Sequence, residues 1–202
     1  MVILDEEKGL MKYSHLEYKI LKVSLIGIYN SGKSTFVDRI NSNNNFKNYK
    51  QSIKTYTPTA GAKLARIFVM LRGKLYRLDI WDCAGQENFF AMIKHFIRNS
   101  HINLYFYDPF NIKSFENIKR TLQIIKELNN KELCSQILIK SKCDLNETKY
   151  INIMISDEEA LEFADKNNLL FRNLSNLEKY GSGIEEIIED CIKAYLNKNN
   201  KN

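Results

Sequence analysis

The segment that most constrains this chain lies at residues 27–34, which read GIYNSGKS. It fits the pattern G-x-x-x-x-G-K-[ST], follows the apolar run Lys19–Ile28 and leads into the predicted helix start Lys33–Ile40. Glycines let backbone N–H groups turn inward to phosphate oxygens, and the following helix directs its positive end to the same point. The pattern therefore predicts a strand, a phosphate-binding loop and a helix in direct succession.

Side chains of this loop have separate predicted roles. Lys33 supplies a positive charge to the β- and γ-phosphates of a nucleotide, and the Ser34 hydroxyl can ligate Mg²⁺. The residues in and directly after this segment that we expect to bind the nucleotide are Tyr29, Asn30, Ser31, Gly32, Lys33, Ser34 and Thr35.

Strand and helix patterns alternate along the rest of the chain. Further strands are predicted at 64–71, 74–81, 102–107, 136–139 and 169–174, and helices at 33–40, 88–99, 114–130, 156–167 and 184–196. Arg72-Gly73 indicates a hairpin, and Ser156-x-x-Glu159 is a capping box at a helix start. The alternation predicts an α/β fold with a six-stranded, mostly parallel sheet, one antiparallel edge strand and helices on both faces.

Two further motifs point to the phosphate end of a nucleotide. The sequence WDCAGQE begins at Trp81, directly after a predicted strand. Asp82 can hold the hydration shell of Mg²⁺, Gly85 can offer a backbone N–H to the γ-phosphate, and Gln86 can orient an attacking water. The second motif is TPTAG at residues 57–61, between the segment 27–34 and WDCAGQE. Its Thr59 can close over the nucleotide and add its hydroxyl to Mg²⁺.

The sequence SKCD, at residues 141–144, follows another predicted strand. Asp144 can accept hydrogen bonds from the ring N–H and 2-amino group of guanine, which adenine does not offer. The stem of Lys142 can lie along the base and ribose. The pattern predicts a preference for guanine nucleotides.

These motifs, in this order, resemble those of small GTPases of the Ras superfamily, and most closely the Rab branch. The WDxAGQE form, Gly61 two places after Thr59, and YDPFNIKSFEN at 107–117 favour Rab. The resemblance covers about Tyr18 to Leu196 and implies the P-loop NTPase (small GTPase) fold. It divides the chain into an N-terminal extension (1–17), a G domain (18–196) and a short polar tail (197–202).

The resemblance also implies roles for individual residues. The catalytic residues would be Gln86 and Lys33, and the metal ligands Ser34, Thr59 and Asp82. Besides the loop residues above, the nucleotide would contact Thr59, Gly85, Ser141, Lys142, Asp144, Ser175, Asn176 and Leu177. Segments around Thr59 and Gly85–Phe90 would be the two switches, through which effector, exchange-factor and GTPase-activating proteins bind.

Two positions depart from the family pattern in ways that bear on chemistry. Ser141 stands where the guanine motif usually has Asn, which braces the P-loop, so we expect weaker nucleotide binding with guanine preference kept through Asp144. Tyr29 stands where a small residue is usual. We expect its ring to obstruct Gln86 or an arginine supplied by a partner.

Two other departures leave alternatives open. The loop before Thr59 is several residues long, so the aromatic ring that stacks on the base is either Phe46 or Tyr49. The paired C-terminal cysteines of Rab proteins are absent, which leaves membrane attachment lost, indirect, or dependent on a C-terminus that continues beyond Asn202.

The composition excludes several classes of protein. Hydrophobic residues make up 44% and aromatics 11%, as in a packed domain, and no apolar run approaches the length of a transmembrane helix. Four widely spaced cysteines without a CxxC pair indicate reduced thiols in the cytoplasm. The net charge of +6 comes with 23 lysines and 23 asparagines, which is typical of AT-rich coding, so we expect no nucleic-acid partner.

We also expect a monomer that is cytoplasmic or peripheral on the cytosolic face of an endomembrane.

The function predicted from these features is a guanine-nucleotide-dependent switch that binds GTP and GDP with Mg²⁺ and hydrolyses GTP slowly, in membrane trafficking. The alternative is a nucleotide-binding interaction module with negligible hydrolysis. A P-loop kinase is a third possibility, against which the DCAGQE and SKCD motifs argue.

Overall fold

The computed structural model describes residues 1–13, 15–41, 62–83, 93, 96–127, 134–144, 154–175 and 183–199. Within these residues one sheet contains β1 (Val2–Asp5), β2 (Tyr18–Ile26), β3 (Ala62–Leu71), β4 (Lys74–Cys83), β5 (Ile102–Tyr107), β6 (Ser135–Lys140) and β7 (Leu170–Asn173). The helices are α1 (Glu6–Tyr13), α2 (Lys33–Asn41), α3 (Ile112–Glu127), α4 (Asp157–Lys166) and α5 (Ile184–Asn199). The predicted α/β class is confirmed.

The predicted count of six strands is wrong, because the described chain has seven, in the order β1-β3-β4-β2-β5-β6-β7. The additional strand is β1, which pairs antiparallel with β3 in the register Val2↔Met70 to Asp5↔Ile67. A strand of four residues is too short to show a clear periodic pattern, so the sequence alone indicates only a charged extension here. The antiparallel pairing lies at this edge of the sheet, and β2, β4, β5, β6 and β7 run parallel to one another.

The hairpin between β3 and β4 has the two-residue turn that the sequence predicted. Arg72 and Gly73 have φ values of 50° and 73°. Positive φ at both central residues matches the twist of the flanking strands, which is why such turns favour glycine. The strands pair from Leu71↔Lys74 to Ala62↔Cys83, so the turn places Asp82 near the far end of the hairpin.

Helices cover both faces of the sheet, as predicted. On one face α2 and α5 bury Phe36, Ile40 and Ile187 against the strands. On the other face α3 and α4 bury Phe115 and Ala160, together with Ile93 and Ile97 of a further helical stretch. Every residue of β5 is buried, so this central strand is enclosed from both sides. None of the helices in the described parts of the chain is long and apolar enough to cross a membrane.

The candidate site lies where the carboxyl ends of the parallel strands meet. The loop after β2 carries the phosphate-binding motif, β4 ends near Asp82, and the segments after β5, β6 and β7 follow at the same edge. Ligands of open α/β sheets bind outside these carboxyl ends.

Candidate functional site

The phosphate-binding loop is shaped by its backbone. Gly27 has φ of 150° and Gly32 has φ of 94°, and a Cβ added to Gly27 would lie 2.4 Å from the Phe106 carbonyl oxygen. No side chain fits in that space, so glycine lets the loop pass directly over the end of β5. Asn30, between the two glycines, also has a positive φ, of 60°. We call residues 27–34 the P-loop.

The ammonium group of Lys33 lies inside the P-loop. It donates hydrogen bonds of 2.8 Å to the carbonyl oxygens of Gly27 and Ile28, and its side chain is only 4% exposed. Its Nζ also lies 3.4 Å from Oγ of Ser31, whose hydroxyl bonds the Ile28 carbonyl at 2.8 Å. These contacts fix a positive charge at the loop, immediately before the N-terminus of α2 where an anion is favoured.

The other predicted P-loop residues differ in exposure. Tyr29 is 59% exposed and Asn30 is exposed, so both side chains lie at the outer surface of the loop. Ser34 and Thr35 are half-buried in the first turn of α2.

Asp82 is the most unusual group of the site. Its side chain is fully buried, and within the described residues neither carboxylate oxygen has a hydrogen bond of ordinary geometry, although the Ser34 hydroxyl lies close enough to stabilise the charge. Burial raises the pKa of Asp82, and the neighbouring Ser34 hydroxyl and Lys33 ammonium oppose that rise by favouring the charged form. A fully buried carboxylate beside a hydroxyl matches the oxygen ligands that Mg²⁺ prefers. The residues present therefore fit a divalent cation at this point.

The second half of the site is the loop after β6, which we call the base loop, residues 141–144. The Ser141 hydroxyl is fully buried and donates to the Tyr107 carbonyl oxygen at 2.8 Å, which ties the loop to the end of β5. One carboxylate oxygen of Asp144 accepts from the Ser175 hydroxyl at 2.7 Å. Ser175 follows β7, so this bond joins the segments after β6 and β7, and among the described residues no donor bonds the second oxygen of Asp144.

Asp108 is a residue of the site that the sequence reasoning missed. Lys142, which has a positive φ of 58°, places its ammonium 2.6 Å from Oδ2 of Asp108. The other oxygen of Asp108 accepts from the backbone N–H of Phe110 at 3.0 Å. The carboxylate thus orients the lysine that is predicted to lie along the base. The available signal was its position directly after the buried strand β5.

The structure brings together the described members of the predicted site at one edge of the sheet. The P-loop, Asp82, the base loop and Ser175 all follow the carboxyl ends of parallel strands. The remaining predicted residues lie outside the described parts of the chain, namely Thr59, Gly85, Gln86, Asn176 and Leu177, together with the two candidate stacking residues Phe46 and Tyr49.

Comparison with known proteins agrees with this geometry. A model of the Ras family matches residues 22–197. Ras-related protein Rab-4 of Dictyostelium discoideum is 31% identical over 179 residues, which cover 89% of this chain and 80% of that protein. Ras-related protein Rab-33A of Mus musculus is 30% identical, with 90% and 73% covered. GTP-binding protein YPT1 of Saccharomyces cerevisiae is 33% identical, with 80% and 73% covered. The chain therefore belongs to the Ras family of small GTPases and is a Rab-like member of it.

Proposed function

We propose that this Rab-like GTPase is a molecular switch that binds GTP and GDP with Mg²⁺ and hydrolyses GTP slowly. The observation that supports this most directly is the juxtaposition of two buried groups at the P-loop. The Lys33 ammonium is held by loop carbonyls, and Asp82 is a fully buried carboxylate whose oxygens have no hydrogen bond of ordinary geometry among the described residues. A nucleotide phosphate and a cation would compensate both.

At the phosphate end, Lys33 binds the β- and γ-phosphates, while backbone N–H groups of the P-loop and the N-terminus of α2 add positive potential. Ser34, Thr59 and Asp82 are the proposed ligands of Mg²⁺. When bound, Mg²⁺ supplies positive charge against the phosphate oxygens. Gln86 is the proposed residue that orients the water for phosphoryl transfer, with Gly85 contacting the γ-phosphate.

At the base end, the second oxygen of Asp144 accepts from guanine, and Lys142 lies along the ring, oriented by Asp108. Ser141, Ser175, Asn176 and Leu177 complete the proposed base pocket. Adenine lacks the donors that Asp144 would accept, so the pocket prefers guanine.

The experiment that tests this proposal measures binding of fluorescent GDP to the purified, nucleotide-stripped protein with and without Mg²⁺. We expect tight binding that requires Mg²⁺ and is displaced by GTP but not by ATP. Equal displacement by ATP would contradict the proposed base pocket, and binding that is indifferent to Mg²⁺ would contradict the role of Asp82.

A second candidate function is a nucleotide-dependent binding module with negligible hydrolysis. The observation that favours it is Tyr29, whose ring is 59% exposed at the outer surface of the P-loop, where an attacking group would have to approach. Single-turnover hydrolysis of loaded GTP separates the two candidates, because a switch releases phosphate and a module does not.

Tyr29→Gly tests the obstruction directly. A GTPase-activating protein accelerates GTP hydrolysis about 10³–10⁵-fold in Ras-type enzymes. We expect this acceleration to be about tenfold larger in Tyr29→Gly than in wild type. The measurement is phosphate release with and without the activating protein. Equal acceleration of both proteins would show that Tyr29 does not obstruct the reaction.

The cellular side of the proposal rests on the Rab and Ypt relatives. We infer a role in membrane trafficking, with effector, exchange-factor and GTPase-activating proteins binding the segments around Thr59 and Gly85–Phe90. Residues 18–196 form the proposed G domain, preceded by the extension 1–17. Peripheral association with the cytosolic face of an endomembrane is part of this proposal, and its test is the distribution of the full-length protein between membrane and cytosol fractions.

A further inference from the structure

Lys140, the last residue of β6, carries a buried ammonium directly before the base loop. Its side chain is 3% exposed, and Nζ lies 2.7 Å from Oδ1 of Asp157, the first residue of α4. Burying a lysine costs free energy unless its charge is paired, so this contact holds the end of β6 against α4.

The backbone of Lys140 is joined to the base loop and to the segment after β7. Its carbonyl oxygen accepts from the Leu174 N–H at 2.8 Å and from the Cys143 thiol at 3.3 Å. The Cys143 N–H in turn donates to the Leu174 carbonyl at 3.2 Å. A displacement of Lys140 would therefore move the base loop and the segment that carries Ser175 together.

The other partner of the ion pair belongs to a well-anchored helix. Ala160 and Ala164 of α4 are buried in the core. Directly before the helix, the Ile155 N–H donates to the Pro109 carbonyl at 2.9 Å. Core packing and the bond of Ile155 thus hold the helix that carries Asp157, so Asp157 can act as a reference point for the base loop.

We propose that Lys140 is a positioning residue for guanine recognition, which holds the base loop in place through Asp157. This inference rests on the proposed function, because it concerns the same base pocket. Ser141 uses its hydroxyl on the Tyr107 carbonyl, so the loop is tied to β5 by Ser141 and to α4 by Lys140. With the tie to α4 removed, Asp144 would lose the alignment that lets it accept two hydrogen bonds from guanine.

The test is Lys140→Met, which keeps an unbranched side chain as far as Cε, removes the ammonium, and leaves Asp157, 47% exposed, to be solvated. The matched control is Lys119→Met, which removes another lysine bonded to a carboxylate of α4, away from the base loop. We expect Lys140→Met to release fluorescent GDP about tenfold faster than wild type, the effect of one lost charge-assisted hydrogen bond, and Lys119→Met to release it at the wild-type rate.

A second readout separates positioning from general stability. Inosine diphosphate lacks the 2-amino group of guanine, so the preference for GDP over inosine diphosphate reports the alignment of Asp144. We expect this preference to fall in Lys140→Met and to stay unchanged in Lys119→Met. A lower melting temperature with unchanged release and preference would overturn the inference, since Lys140 would then only stabilise the fold.

If Lys140→Met does not fold, Asp157→Asn is the second variant to test. This substitution removes the negative charge that pairs with Lys140 and keeps a hydrogen-bond acceptor at the same position. We expect faster GDP release and a weaker preference in this variant too, and wild-type values for both would overturn the inference. Failure of wild type to bind GDP at all would contradict the proposed function itself, whereas GDP binding that is indifferent to Lys140 and Asp157 contradicts this inference alone.

Discussion

In the P-loop the Lys33 side chain turns back onto carbonyl oxygens of its own loop, five and six residues away, whereas in the base loop Lys142 reaches Asp108, 34 residues away in sequence. The phosphate end is therefore built by local backbone geometry, and the base end by side chains from separate segments. The carboxylates differ as well. Asp82 has no hydrogen bond of ordinary geometry within the described chain, while Asp108 and Asp144 each accept hydrogen bonds. The carboxylate of the phosphate end is therefore buried at some cost in stability, whereas the carboxylates of the base end have partners within the protein.

The largest effect should come from a backbone change at the phosphate end. Gly27→Ala would place Cβ 2.4 Å from the Phe106 carbonyl at a φ of 150°, so we expect a loss of about 3 kcal/mol in the free energy of unfolding and loss of nucleotide binding. Urea denaturation and fluorescent GDP binding measure the two effects.

The matched control for that change is Gly73→Ala in the β3–β4 turn. Its added Cβ would meet nothing within 4 Å, so only the strain of its φ of 73° remains, about 1–2 kcal/mol, with GDP affinity unchanged. Equal losses of stability in the two variants would contradict the close approach of Gly27 to β5.

The next effect is at Asp82, where we expect one substitution to raise stability and to impair function. Asp82→Asn removes a fully buried charge that burial destabilises, so we expect the nucleotide-free protein to gain about 1 kcal/mol in unfolding free energy at pH 7. The same variant should lose the Mg²⁺ dependence of GDP binding. A less stable Asn variant would show that the carboxylate is satisfied in the folded protein.

The pH dependence of stability gives the same test without a ligand. Because the pKa of Asp82 is raised by burial, the folded protein binds more protons than the unfolded chain above the ordinary value of 3.8. Stability contributed by this group therefore falls as pH rises from that value to the raised pKa, and then levels. Urea denaturation at several pH values across this range should show the unfolding free energy of wild type falling as pH rises. The fall should be smaller in Asp82→Asn, because Asn does not titrate.

The last of these effects is at the base end and has the opposite sign for stability from that of Asp82→Asn. Asp108→Asn weakens the bond that orients Lys142, so we expect a loss of about 1 kcal/mol in unfolding free energy and about fivefold weaker GDP binding. The control is Asp79→Asn, which breaks a pair with Arg77 inside β4. Asp79→Asn should lose a similar amount of stability and keep its GDP affinity. An equal loss of GDP affinity in both variants would show that Asp108 has no specific role in GDP binding.

The same contrast explains how far the sequence could predict the molecule. The P-loop, the Arg72-Gly73 turn and the capping box depend on neighbouring residues, and the structure has the turn with positive φ and Ser156 accepting from the Glu159 N–H. The pairing of β1 with β3 and the bonds of Asp108 and Lys140 join segments far apart along the chain. No local pattern encodes them, because they depend on which strand ends lie side by side once the sheet has formed.

Helix α1 carries a glycine in its interior, and a Cβ at Gly9 would lie 2.3 Å from the Phe68 ring of β3. Glycine lowers the intrinsic stability of a helix by about 1 kcal/mol, so this short helix depends on the sheet beneath it rather than on its own sequence. Residues 1–13 therefore belong to the cooperative unit of β3 and β4. Removing them for expression, or loading them with a bulky tag, would alter the hairpin that carries Asp82 to the candidate site.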